Sequence, residues 1–279
     1  MGYLFAVTLL WAFSFSLIGV YLAGHVDAWF SVLIRVALAT LVFLPFIKRL
    51  PPATAIRLML IGAVQLGVMY SFYYHSFLFL SVPEVLLFTV MTPLYITLLN
   101  DTLNKQFNPQ FFIVALIAVL GAVTIRYENL DNDFWLGLLL VQGANLSFAT
   151  GQVTYKRLMQ GKQLDDKAAF SWFFIGALIV AGLCYALFGN PSKLPSTNTQ
   201  WGILIYLGVV ASGLGYFLWN KGATLVNVGA LAVMNNLLIP AGIIVNIVIW
   251  NRDADIFRLS IGAAIMLLAL VVNQIMTKK

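Results

Sequence analysis

Residues 61–99 read IGAVQLGVMYSFYYHSFLFLSVPEVLLFTVMTPLYITLL, two apolar runs joined at Ser81-Val82-Pro83. Residues 207–245, LGVVASGLGYFLWNKGATLVNVGALAVMNNLLIPAGIIV, repeat that design. Gly62 aligns with Gly208, Gly67 with Gly213 and Tyr70 with Tyr216 at a constant offset of 146 residues; one extra residue then places Pro93 on Pro240. Self-similarity of this kind within one chain points to an internal repeat.

Composition decides the solvent. The 279 residues are 61% hydrophobic and only 9% charged, with a mean hydropathy of +0.93. A soluble chain carries about 25% charged residues, so this one cannot cover a globule with polar groups and needs lipid around it. One cysteine, Cys184, excludes a disulfide framework, a CxxC redox pair and a cysteine zinc cluster. The net charge of +6 is scattered through short loops, which argues against nucleic acid as a partner. Met1-Gly2-Tyr3 lacks the basic start of a signal peptide, and the first apolar run reads as a membrane span.

A membrane helix needs about 20 mostly apolar residues. Ten such runs can be marked, at roughly 2–23, 28–47, 57–80, 82–100, 109–126, 134–156, 168–188, 201–221, 228–250 and 257–276. Turn formers separate them, among them Pro51-Pro52, Asn108-Pro109 and Asn190-Pro191-Ser192. With both termini cytoplasmic, eleven basic residues lie inside and four outside, which favours that orientation. The expected fold is all-α and integral to the membrane, ten transmembrane helices as two inverted five-helix repeats, residues 1–130 and 131–279. Five crossings per half oblige the halves to point in opposite directions. Inverted repeats are typical of secondary transporters.

The pattern resembles the drug/metabolite transporter superfamily, in its ten-helix EamA-type branch. The residues carrying the likeness are Leu10-Trp11-Ala12-Phe13-Ser14-Phe15, Arg35, and the Gly62/Tyr70 to Pro93 block with its second copy ending at Pro240. The likeness spans nearly the whole chain. Where the family has small residues opening its fourth helix, this chain has Pro83-Glu84-Val85. The resemblance implies a cavity lined by helices one, three, four, six, eight and nine, with five and ten at the periphery.

Polar groups within the spans supply the candidate substrate contacts: Trp11, Ser14, Tyr70, Tyr74, His75, Glu84, Thr89, Asn145, Tyr216, Asn235 and Asn236. Arg35, Pro93 and Pro240 are expected to serve structure or gating. An unpaired Arg in a bilayer costs at least ~2.5–3.5 kcal/mol, so Arg35 must snorkel, pair or face water. Glu84 is the only carboxylate near its depth. An Arg35–Glu84 pair and a Glu84 that binds an amine or a coupling proton are the two readings. His75 can change charge near neutral pH, yet a neutral His hydrogen-bonded to a neighbouring helix explains it equally. Lys221, near a helix end, is expected to snorkel. Tyr and Trp are common near membrane interfaces, so most of the aromatic third helix needs no ligand; Tyr70 stands out because it recurs as Tyr216. Asn235-Asn236 point about 100° apart, so at least one should line a cavity unless both bond to neighbouring helices. Pro93 and Pro240 remove backbone donors mid-helix, and freed carbonyls are tolerated only against protein or a wet cavity.

Enzyme motifs such as HExxH, GxSxG or a phosphate loop do not occur, and no cofactor is implied. The expectation is a secondary transporter of a bacterial inner membrane, monomer or homodimer. It would export amino acids, amines or related metabolites by alternating access, with proton coupling left open. The alternatives are a nucleotide-sugar or lipid-intermediate carrier, which needs several interior cations, and a non-transporting membrane scaffold.

Overall fold

Apolar runs with few charges form helices because lipid offers the backbone no hydrogen-bond partners, so each segment must satisfy its own. A computed structural model describes residues 2–105, 132–160, 164–226, 228–250 and 256–277, together with positions 117, 120 and 124. Its helices are α1 Gly2–Leu22, α2 Ala28–Phe46, α3 Pro52–Ser76, α4 Val82–Leu103, α5 Asn132–Met159, α6 Asp166–Phe188 and α7 Asn198–Thr224. They continue with α8 Val228–Trp250 and α9 Ile256–Thr277. Seven helices, α1 to α7, are long and apolar enough to cross a bilayer, and a shorter apolar stretch, Leu237–Trp250, lies within α8. No strand occurs among the described residues. The protein is an all-α membrane protein. Helices α5 to α9 correspond to predicted spans six to ten; the predicted fifth span, 109–126, lies outside the described residues apart from positions 117, 120 and 124.

Observed ends differ from the apolar runs by a few residues because caps, not hydropathy, set them. Pro52 opens α3 five residues before the apolar run does, since a proline at the first turn gives up no needed donor. The Asp27 carboxylate accepts from the Phe30 amide at 2.7 Å and starts α2. Glu84 accepts from both the Ser81 amide and the Ser81 hydroxyl, each at 2.7 Å, at the start of α4. Between α1 and α2 the chain turns through Gly24, whose φ of +75° suits glycine.

The surface is apolar: Leu187, Val248 and Phe257 are 73%, 74% and 75% exposed, as a lipid-facing belt requires. The interior holds polar groups. Gln65 and Asn220, both fully buried, exchange amide hydrogen bonds between α3 and α7, the shorter at 3.1 Å. Helix α3 crosses α6 so closely that a Cβ on Gly62 would strike the Phe173 carbonyl, and one on Gly176 the Met59 carbonyl. Small residues at such a crossing let the backbones touch. Helix α1 packs against α7 and α8, α2 lies against α6 and α7, and α5 against α3 and α4. Helix α9 lies at the edge, against α4.

Three helices contain wide π-turns: Ile18–Leu22 in α1, Ala63–Val68 in α3 and Tyr206–Leu214 in α7. Shifting 63–68 by the repeat offset of 146 gives 209–214, inside the α7 segment. The two sequence copies therefore share an irregularity as well as residues. Proline acts unequally. Pro93 follows a 3-10 turn at Thr89–Met91 that interrupts α4, whereas Pro240 sits inside a continuous α8.

Candidate functional site

Arg35 organises the middle of the molecule. It lies on α2, is 3% exposed, and reaches across to the π-segment of α7. A wide turn leaves carbonyls poorly engaged by their own helix, and Arg35 uses one: Nε donates to the Leu207 carbonyl at 3.2 Å and to the Ser212 hydroxyl. Nη1 donates to the Tyr74 hydroxyl at 3.3 Å. The guanidinium carbon lies 4.2 Å from the centre of the Tyr70 ring, and the Tyr70 and Ser212 hydroxyls bond to each other at 2.8 Å. Hydrogen bonds to a charged group contribute about 1.5–3 kcal/mol each, and a desolvated cation–π contact about 2. Together they match the cost of burying the charge without a carboxylate.

This corrects the expected Arg35–Glu84 pair. Glu84 caps its own helix through Ser81, while the hydrogen bonds of Arg35 go to α3 and α7. Its Nη2 makes no hydrogen bond among the described residues.

Arg35 borders a central cavity of about 90 Å³. Of the residues singled out in the sequence, Trp11, Ser14, Arg35, Tyr70, Thr89, Asn145, Tyr216 and Asn235 line it. The side chain of Asn236 lies outside the described residues. All six helices implied by the family resemblance contribute, and the second helix joins them through Arg35. One wall is aromatic: Trp11 packs 5.0 Å from Tyr216 and 6.2 Å from Phe148, and its indole N–H donates to the Ala211 carbonyl at 2.8 Å. Amides line the cavity too. Asn145 donates to the Phe88 carbonyl at 2.9 Å, which the 3-10 turn of α4 frees, and accepts from Thr92 at 3.2 Å. Asn235 donates to the Leu231 carbonyl of its own helix at 3.0 Å. Ser14 and Thr89 likewise bond one turn back, to Leu10 and Leu86.

Tyr74 and His75 lie elsewhere. Both border a second space of about 170 Å³ beside Trp29 and Lys193. His75 packs tilted with its ring centre 4.4 Å from that of Trp29, and its Nδ1 contacts the Ser71 carbonyl at 2.7 Å. Lys221, expected to snorkel, is part-exposed and forms an ion pair with Asp166 at 3.3 Å. The residue that sequence reasoning passed over is Tyr73. It lines the central cavity, and its buried hydroxyl has no hydrogen-bond partner among the described residues.

The model of the EamA-like transporter family matches residues 1–127 and again 135–274. The chain belongs to the EamA-like transporter family. Curated relatives agree. A biotin transporter of Salmonella typhimurium is 52% identical over 277 residues, covering 98% of this chain and 93% of the relative. A biotin transporter of Escherichia coli is 50% identical over the same shares, and a probable biotin transporter of Pseudomonas aeruginosa is 50% identical over 99% of this chain and 98% of its own. A crystal structure of a protein only 17% identical superposes with a TM-score of 0.68 over 99% of this chain and 96% of its own, a likeness of fold alone. This EamA-like chain is a multi-pass membrane transporter of small metabolites and not an enzyme.

Two of the expected cargoes fit the site poorly. Among its described lining residues the cavity has no acid, so the ammonium of an amine would meet Arg35 uncompensated. The amino-acid or amine exporter reading gains no support from this lining, and the relatives are named for a different cargo. A diphosphate-bearing nucleotide sugar needs several cations, and Arg35 is the single one lining the described cavity.

Proposed function

We propose that the chain carries biotin across the bacterial inner membrane. Biotin has one carboxylate, a flat ureido group with two donors and an acceptor, and an apolar fused bicycle. The observation that carries the reading is the buried Arg35, held without an acid and with Nη2 unengaged at the cavity. Its charge suits a carboxylate. The Tyr73 hydroxyl and the amide of Asn145 suit the ureido group, and the Trp11–Tyr216–Phe148 wall suits the bicycle. The relatives' names support the same cargo.

A cavity of about 90 Å³ holds several waters. Ligand pockets run to roughly 300–1,000 Å³, so the helices must part to admit biotin, as alternating access requires. In the same reading the molecule is two inverted five-helix halves with both termini cytoplasmic.

Counterflow of radiolabelled biotin into proteoliposomes tests the assignment. Arg35→Gln leaves the carboxylate unpaired, a loss of about 2–5 kcal/mol, or at least tenfold in apparent affinity at 1.4 kcal/mol per decade. Arg35→Lys should retain part of it. Biotin methyl ester should compete poorly against wild type. Wild-type protein that exchanges no biotin would overturn the reading.

A further inference from the structure

Helices α4, α5 and α8 continue past the central cavity into a larger space. It measures about 550 Å³, which lies within the roughly 300–1,000 Å³ of small-molecule sites. Its polar lining is Asn100 of α4 and Asn104 just past its end, with Gln152, Lys156 and Arg157 of α5 and Gln160 just past its end. Gln152, Lys156 and Gln160 follow one another at four-residue spacing, and the Gln160 amide still bonds to the Lys156 carbonyl at 3.0 Å, so the three share one face at the end of α5. Among the described lining residues two are cationic and none is acidic.

Basic residues at the end of a helix have an ordinary explanation, since they complement its last carbonyls. Arg157 fits it in part, reaching Asn100 and Asn104, and Lys156 donates to the Val226 carbonyl at 2.8 Å. Gln152 has no such explanation. It is 1% exposed, and neither its amide nitrogen nor its amide oxygen has a partner among the described residues. Buried polar groups are nearly always satisfied, so an orphaned amide at the deep end of a cationic space marks an unfilled contact.

Between the two spaces stands a thin apolar layer. Ile96, Ala149 and Val153 form a small cluster of their own, separate from the main core. Ile96 lies one turn beyond Thr92 on α4, and Ala149 one turn beyond Asn145 on α5, so about 5.4 Å of helix separates them from the central site.

We propose that this space is a second, anion-receiving subsite that takes the substrate's carboxylate on the far side of the Ile96–Ala149–Val153 layer, with Lys156 supplying charge and Gln152 a directed amide. The carboxylate identity rests on the reading of biotin as cargo; the anion preference does not. When the layer parts, the carboxylate passes from Arg35 to the second subsite without meeting an apolar gap longer than about one turn.

The test uses Gln160→Cys in a Cys184→Ser background, reconstituted in proteoliposomes. Alkylation by anionic and cationic methanethiosulfonate reagents is measured, each rate divided by its rate with a free thiol. The anionic reagent should react at least tenfold faster on this scale. Adding Lys156→Gln should remove most of that preference. Biotin should slow the reaction severalfold, and Gln152→Leu should abolish that protection without lowering the melting temperature. Equal normalised rates for the two reagents overturn the subsite, whatever biotin does. Anionic preference without protection, in protein that exchanges biotin, overturns the carboxylate role. Anionic preference in protein that exchanges no biotin leaves the subsite standing and removes the cargo assignment.

Discussion

Two adjacent tyrosines on α3 show what a single residue's setting decides. Tyr73 and Tyr74, three and four residues on from Tyr70, flank its face about 100° apart; Tyr73 lines the central cavity and Tyr74 borders the space beside His75. The Tyr74 hydroxyl accepts from Arg35, whereas the Tyr73 hydroxyl is buried without a partner among the described residues. An unsatisfied buried group costs about 1–3 kcal/mol, while a hydrogen bond made by a ligand returns about 0.5–1.5. Tyr73→Phe should therefore leave the melting temperature unchanged or raise it while weakening biotin binding by about 2- to 10-fold. Thermal unfolding beside counterflow kinetics checks both halves. A fall in melting temperature with unaltered affinity would assign Tyr73 to packing. Arg35 was legible as a costly charge, but its partners were not. Glu84 was the nearest acid in depth, while the hydroxyls and the carbonyl that hold Arg35 come from helices far off in sequence.

Helix irregularities place the functional groups. The π-segment of α7 presents the Leu207 carbonyl to Arg35 and the Ala211 carbonyl to Trp11. The 3-10 turn of α4 presents the Phe88 carbonyl to Asn145. Prolines flagged such irregularities at Pro93, but nothing in residues 63–68 or 206–214 announces a wide turn, because neither contains proline. Helix ends were legible in kind, and one carries a charge prediction. Asp165 caps α6 by accepting from the Lys167 and Ala168 amides, and it pairs with Lys48 beyond the end of α2. The hydrogen bond from Lys48 holds the Asp165 carboxyl below its ordinary value. A lowered folded-state pKa adds stability above the ordinary carboxylate value of about 3.9, and that stability is lost as pH falls through the lowered one. Asp165→Asn keeps the cap, since the two residues cap about equally well, and removes the charge. It should lower the melting temperature slightly at pH 7 and not at all near pH 2. The pair is largely exposed, so the effect is small. An undiminished difference near pH 2 would assign the effect to the cap.

At the scale of the molecule, the proposed inverted halves put both termini on the cytoplasmic side. Cysteines placed at Gly2 and Lys278 in a Cys184→Ser background should resist an impermeant maleimide in intact cells and react in inverted vesicles. Labelling of either one in intact cells would reverse the assignment. Hydropathy by itself determined that the chain is helical and membrane-embedded, because lipid leaves a polar backbone few alternatives. The repeat at residues 61–99 and 207–245 picked out α3, α4, α7 and α8, all four of which border the cavity. Seven of the eleven residues named as substrate contacts, all but Tyr74, His75, Glu84 and Asn236, meet there, and Arg35 joins them. The tertiary structure decided the rest. Which tyrosine faces inward, which acid is remote from Arg35, and which amide is left unpaired all depend on how helices distant in sequence rotate and cross. A pattern with a period of 3.6 residues fixes a face only relative to its own helix, and each π-turn resets that face before the next helix is met.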